Sequence, residues 1–135
     1  MEPVTARHLR SVRWDDAEAG IARGLEGRSP TGVIAYRLTL EPPLSRHFSL
    51  ADQIRRAAPS VPANVAEGYG LATKPQFVRC LRIALDSAME LRTHLEIVQE
   101  LELFAKPEPV AEALQRCERL IGLIIGLIRS LVARP

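Results

Sequence analysis

The sequence predicts an all-α fold, an antiparallel up-and-down four-helix bundle. Apolar residues recur at spacings of three and four over long stretches, which is typical of amphipathic helices. The connections between these stretches are short, which makes consecutive helices antiparallel neighbours. Two of the helices also carry apolar residues outside their core stripe, and this surface predicts a homo-oligomer. The 135 residues are enough for one such domain.

Composition excludes several classes of protein. With 47% hydrophobic and 4% aromatic residues, the chain is globular and its core is aliphatic. Its formal net charge of +2 is far below that of an autonomous DNA-binding module. Its two cysteines, Cys80 and Cys117, exclude a disulfide scaffold and a four-cysteine zinc site. The polar N-terminus and the lack of an 18-residue apolar run predict a cytoplasmic protein without a membrane segment.

Residues 1–29 are predicted to be a neutral, loosely patterned extension that precedes the bundle domain of residues 30–135. Interior glycines, which cost about 1 kcal/mol each in a helix, oppose regular structure in this extension. A short helix at 14–26 is the open alternative, because apolar residues recur there at helical spacing: Trp14, Ala17, Ile21 and Leu25.

A new element is predicted to start at Ser29 and Pro30, which read as an N-cap followed by proline in the first helical position. From Val33 to Leu40 the apolar residues fit either an alternating strand or a short helix. Local propensity alone favours the strand.

An amphipathic helix is predicted from Ser49, with two prolines inside it. Pro59 and Pro62 lack amide hydrogens, so we expect a kink or a break near 58–62 and an end at Gly68 or Gly70. The apolar face of this helix consists of Leu50, Ile54, Ala57, Val61 and Val65.

The next two helices have the clearest patterns. Thr73 is predicted to cap a helix that has Pro75 in its first turn and runs to about Phe104. Its heptad stripe consists of Phe77, Leu81, Ala84, Ala88, Leu91, Leu95 and Val98. The last helix is predicted to start at about Pro109, with a core face of Val110, Leu114, Cys117, Ile121, Ile124, Ile128 and Leu131.

Two apolar surfaces predict contact between subunits. Ile83 and Ile97 lie about 130° from the centre of the heptad stripe, counting 100° per residue. The last helix is apolar nearly all round at Ile124 and Ile125, and small residues recur on it at spacing 4: Gly122, Gly126 and Ser130. We therefore predict an oligomer interface that includes Ile83, Ile97, Ile124 and Ile125. The alternative is a tight core whose loose chain ends cover this surface.

The block from His47 to Leu95 carries a specific sequence pattern. It reads F-x-L-A-D-Q-I-R-R-A-A-x-S-V-P-A-N-V-A-E-G-Y-G, then Q-F-x-R-x-L-R-I-A-x-x-S-A-x-E-L-x-T-x-L. With these strings the chain resembles small bacterial four-helix bundle proteins over roughly residues 33–133. That family includes proteins encoded in ribosomal-RNA intervening sequences and the accessory variability proteins of diversity-generating retroelements.

The resemblance implies a ring-like homopentamer of four-helix bundles without known catalytic activity. For the retroelement accessory proteins it implies a basic barrel that binds RNA or DNA and contacts a reverse transcriptase. It also implies that residues 31–40 end the first helix and are not a strand. The interruption GLEGRSPTG departs from the long first helix of the family, so that helix is either short or broken, with 14–26 as its first half.

Positive charge is concentrated in the middle of the chain. Residues 44–92 contain seven basic residues against four acidic ones, a local charge of +3. Repeated round a ring, this charge forms a positive band that attracts phosphates. The predicted nucleic-acid-binding residues are Arg55, Arg56, Lys74, Arg79 and Arg82. The alternative is that Arg56 pairs with Asp52, and Arg82 with Asp86, on solvated helix faces.

The polar residues of the two motif strings are predicted to be structural: Ser60, Asn64, Glu67, Gly68, Ser87 and Glu90. Ser60 and Asn64 are expected to bond backbone groups freed by the prolines, and the glutamates to anchor arginines on a neighbouring helix. A Glu67–Glu90 acid-base pair is the weaker alternative. We predict no catalytic site, no cofactor and no metal. Cys80 and His94 lie about 21 Å apart along one helix, and Cys117, which can approach either from the last helix, leaves too few ligands for a metal site.

The sequence therefore predicts a non-enzymatic, homopentameric accessory protein that binds nucleic acid through a basic surface. A protein–protein interaction scaffold that binds no nucleic acid is the alternative.

Overall fold

A computed structural model of the chain describes residues 31–70 and 73–133. It contains four α-helices and, before the second of them, a short 3₁₀ turn at Leu44–Arg46: α1 (Thr31–Thr39), α2 (Phe48–Gly70), α3 (Lys74–Glu100) and α4 (Glu108–Val132). Each helix packs against its neighbour in the chain, and α1 also packs against α4. The predicted all-α bundle is confirmed. The extension 1–29, its helix at 14–26 and the Ser29–Pro30 start lie outside the described residues.

The first helix, α1, forms where local propensity favours a strand. Thr31, Ala35 and Leu38 are buried, at the spacing of one helix face, whereas Val33 is largely exposed. Packing of this face against α2 and α4 therefore outweighs the β-propensity of the segment. The strand prediction is wrong, and the helix implied by the family resemblance is confirmed.

The second helix, α2, continues through Pro59 and Pro62 without a break. Of the predicted kink or break, the break is therefore wrong. Each proline removes a helical hydrogen bond, but the core face holds the helix together, because Ala57, Ala58, Val61 and Val65 are all buried. Gly32 of α1 approaches the Ala58 carbonyl, which Pro62 leaves without its usual amide donor. A Cβ atom on Gly32 would lie 2.9 Å from that oxygen.

The third and fourth helices form the longest part of the core. The Thr73 hydroxyl accepts a hydrogen bond from the Gln76 amide at 3.4 Å, which confirms the predicted cap. All seven residues of the predicted α3 stripe and all seven of the α4 face are buried. The α3 helix ends at Glu100, before the predicted Phe104, and Glu102 with φ of 49° reverses the chain towards α4.

The four residues of the predicted oligomer interface differ in their exposure to solvent. Ile83 and Ile97 are 40% and 42% exposed, so they do not share the core. Ile124 is fully buried inside its own subunit, which removes it from any surface, whereas Ile125 is half-buried. A Cβ atom on Gly122 or Gly126 would have open space around it. Among the helices that the structure describes, none is long and apolar enough to cross a membrane.

Candidate nucleic-acid interface

Arg79 and Arg82 are exposed and lie three positions apart on α3, away from its buried stripe. Within residues 31–70 and 73–133, no carboxylate lies within ion-pair distance of either arginine. The structure therefore does not contain the Arg82–Asp86 pair of the solvated-face alternative. An exposed pair of this kind contributes little to stability whether or not it forms.

Arg82 also lies at the edge of a groove between α3 and α4. The groove has a volume of about 410 Å³ and an apolar floor of Leu85, Ile125, Ile128 and Val132. Arg129 of α4 lines the same groove and likewise has no ion pair with a described residue. Sequence reasoning missed Arg129. The sequence does show that Arg129 lies one helical turn after Ile125 and therefore on the same face of α4. That this face lies beside Arg82 follows only from the packing of α3 against α4.

Arg55 has a structural partner. Its Nε donates to Thr39 Oγ1 and its Nη2 donates to the Thr39 carbonyl, each at 2.9 Å, and the guanidinium lies 5.9 Å from the centroid of the Tyr36 ring. Arg55 thereby bonds a carbonyl at the C-terminal end of α1, where helical carbonyls lack amide partners. Two of its five N–H donors are therefore used within the bundle.

The two remaining predicted basic residues differ from Arg79 and Arg82. Arg56 forms an exposed ion pair with Asp52 at 3.1 Å, as the solvated-face alternative predicted. Lys74 is half-buried in the first turn of α3. Of the five predicted residues, Arg79 and Arg82 are the two that combine exposure with the lack of an ion-pair partner in the described chain.

The motif serines connect α2 to α3. The hydroxyl oxygens of Ser60 and Ser87 lie 2.7 Å apart, and Asn64 Nδ2 donates to the Ser60 carbonyl at 2.7 Å and to its hydroxyl at 3.1 Å. The prediction that these residues are structural fits this geometry. Its detail is wrong, because the carbonyls freed by Pro59 and Pro62 are those of Arg55 and Ala58, not that of Ser60.

Gly68 is the point of closest approach between α2 and α3. A Cβ atom there would lie 2.6 Å from Phe77 Cδ2 and 3.0 Å from Cys80 Cβ. Glu67 and Glu90 are exposed, and neither forms an ion pair with an arginine of the described residues. The prediction that they anchor neighbouring arginines is wrong, since Arg55 bonds Thr39 and Arg56 bonds Asp52.

The cysteines are arranged as small core residues. Cys117 Sγ donates to the Ala88 carbonyl at 3.3 Å, and burial raises the pKa of Cys117 to about 11. Burial also raises the pKa of Cys80, with a smaller contribution from the charge of Glu67. Both thiols are therefore protonated at neutral pH, which does not suit a nucleophile or metal ligand. The described residues contain no group of three side chains able to hold a metal ion.

Comparison with known proteins agrees with this fold and motif. The model of one family, the 23S rRNA-intervening sequence proteins, matches residues 32–126. The chain belongs to that family. A search of curated proteins found no match.

The match to the intervening-sequence protein family covers α1, α2, α3 and most of α4. It includes Arg79, Arg82 and the Ser60–Ser87 contact, but ends before Arg129. The family is not a known enzyme family, and membership is compatible with an accessory, non-enzymatic role.

Proposed function

We propose that this intervening-sequence protein is a non-enzymatic homopentamer that binds RNA or DNA through a basic surface on α3. The observation that carries the proposal is the exposure of Arg79 and Arg82 without ion-pair partners among the described residues. Two arginines bind phosphates only weakly in one subunit. Repeated in five copies, they form a positive band along which counterions are released when phosphates bind.

Three features of the surface support assembly. Ile83 and Ile97 are large apolar side chains exposed on α3. Ile125 is only half-buried, and Gly122 and Gly126 leave open space at which a second helix can approach closely. The interface proposed here therefore uses Ile83, Ile97 and Ile125, and omits Ile124. The family resemblance provides the number of five subunits.

Binding to a structured RNA, measured with the full chain at low and at physiological salt, tests the nucleic-acid proposal. We expect Arg79→Glu/Arg82→Glu to weaken binding while the oligomer mass stays unchanged, because both side chains are exposed. Arg37→Glu/Arg119→Glu is the matched control: it changes the net charge equally at two exposed positions outside the groove. Equal losses in the two variants would show attraction by net charge alone and would contradict the proposed surface.

A protein-interaction scaffold is the second candidate, and a patch at the opposite end of the bundle favours it. Phe48 is 80% exposed, and it lines a groove of about 430 Å³ together with Ile97 and Leu101. Exposed aromatic and aliphatic side chains in one groove are typical of protein-binding surfaces. If the parent protein binds no RNA or DNA at low salt, this second function replaces the first. A reverse transcriptase is the partner implied by the resemblance, and copurification with one encoded nearby tests it.

A further inference from the structure

The groove between α3 and α4 combines two properties. Its floor is apolar, with Leu85, Ile125, Ile128 and Val132, and two arginines, Arg82 and Arg129, line it as well. Neither arginine has an ion-pair partner in the described part of the chain. A segment that fits this groove presents apolar side chains to the floor and carboxylates to the arginines.

Residues 14–26 of this chain have that chemistry. They include the large apolar side chains Trp14, Ile21 and Leu25. They carry four carboxylates against one arginine, Arg23, which gives a net charge of −3: Asp15, Asp16, Glu18 and Glu26. The acidic side chains therefore complement Arg82 and Arg129, while the apolar side chains complement the groove floor.

The position of α1 lets this segment reach such a groove. Thr31 begins α1, and α1 packs against α4, the helix that provides one wall of the groove. Five backbone steps from residue 26 to Thr31 span at most about 17 Å. A helix with its side chains is about 10–12 Å across. The connection is therefore longer than one helix is wide, which lets residues 14–26 lie beside α4 of the same subunit or of a neighbouring copy.

We propose that residues 14–26 dock in the α3/α4 groove, in the same subunit or in an adjacent one. Trp14, Ile21 and Leu25 contact the apolar floor, and the acidic side chains face Arg82 and Arg129. The groove is thus an internal binding site for the N-terminal segment of this protein. In the docked state residues 14–26 cover Arg82 and Ile125, so they compete with phosphates for Arg82 and with a neighbouring subunit for Ile125. The test of docking contains no nucleic acid.

Trp14 is the only tryptophan of the chain, so its fluorescence reports directly on this docking. In the full-length protein we expect blue-shifted emission and weak quenching by acrylamide. Arg82→Glu/Arg129→Glu should shift the emission to the red and raise the quenching constant towards that of the urea-unfolded chain. The control Arg37→Glu/Arg119→Glu should leave both unchanged. Unchanged Trp14 emission in the groove variant, or equal shifts in both variants, would overturn the proposal.

A charge swap separates docking from unfolding. Asp15→Lys/Asp16→Lys/Glu18→Lys should release Trp14 while circular dichroism of the bundle stays unchanged. Combining these substitutions with Arg82→Glu/Arg129→Glu should restore the blue-shifted emission, because opposite charges again face each other. Failure of the combined variant to recover any shielding, with the bundle still folded, would contradict a specific contact.

A mixing experiment identifies which subunit provides the groove. Copies with Trp14→Phe and an intact groove are unfolded, mixed and refolded with copies that keep Trp14 and carry Arg82→Glu/Arg129→Glu. Recovery of blue-shifted emission assigns docking between subunits. Continued red-shifted emission, when the parent protein is blue-shifted, assigns docking within one subunit.

Discussion

The hydroxyl groups of Ser60 on α2 and Ser87 on α3 lie 2.7 Å apart, and Asn64 donates to the same Ser60 hydroxyl. This small polar network lies beside the buried apolar faces of the two helices, which include Ala57 and Val61 of α2 and Ala84 and Ala88 of α3. Because a half-satisfied polar group between helices costs more than an apolar one, the three residues are expected to act as a unit.

Ser87→Ala should lower the free energy of unfolding by about 1 kcal/mol, since it leaves the Ser60 hydroxyl with one partner fewer. The double variant Ser60→Ala/Ser87→Ala should be less destabilised than the sum of the single variants. Urea unfolding at a fixed protein concentration measures this, because unfolding of an oligomer depends on concentration. Strict additivity would mean that the two hydroxyls do not interact.

Gly68→Ala should destabilise the protein by about 1–3 kcal/mol, because the new Cβ atom would overlap Phe77 at the closest approach of α2 and α3. Gly70→Ala is the matched control, two residues further on, where a Cβ atom meets nothing within 4 Å. That control should stay within about 0.5 kcal/mol of the parent. Thermal unfolding of the three proteins compares them, and equal stability of Gly68→Ala and the control would contradict the packing described here.

Arg55→Lys should destabilise the protein by about 1–2 kcal/mol although the charge is kept. Lysine cannot reproduce the two directed hydrogen bonds that the guanidinium donates to Thr39. Arg56→Lys, at the neighbouring exposed position, should leave stability unchanged. If Arg55→Lys instead weakened RNA binding without affecting stability, Arg55 would belong to the nucleic-acid surface and not to the bundle.

The sequence predicted the fold better than it predicted the partners of its polar residues. The α3 stripe from Phe77 to Val98 was recognisable because burial requires apolar residues at a fixed period. The conformation of residues 31–39 was not, since it depends on packing against α2 and α4. The hydrogen bonds of Arg55 to Thr39 were not predictable either. They join residues 16 positions apart in the sequence. An arginine side chain on a helix is long enough to reach several acceptors on its own and on neighbouring helices, and the sequence does not say which one it bonds.

The stability of the protein should fall between about pH 9 and pH 11 through Cys117. Its thiol has an ordinary pKa of 9.0, which burial raises to about 11 in the folded protein. Over this interval the unfolded chain loses the proton that the folded chain retains, so rising pH favours unfolding by about 2–3 kcal/mol in total. Below pH 9 this contribution to stability is fully present.

Cys117→Ser isolates that effect, because the serine hydroxyl can still donate to the Ala88 carbonyl but does not titrate in this range. The decline in stability across the interval should be smaller in the serine variant than in the parent, as measured by urea unfolding at several pH values. Identical pH profiles would mean that Cys117 is not shielded from solvent as the structure indicates.

The salt dependence of binding to duplex DNA tests the central claim, a basic surface repeated round an oligomer, most directly. On B-DNA each neutralised phosphate contributes about 0.9 to the slope of log K against log salt, so two arginines of one subunit give a slope of about −1.8. We predict a steeper slope for the parent, because several subunits contact the duplex together, and a flatter one for Arg79→Glu/Arg82→Glu. A parent slope no steeper than about −1.8, or no binding at low salt, would contradict the claim.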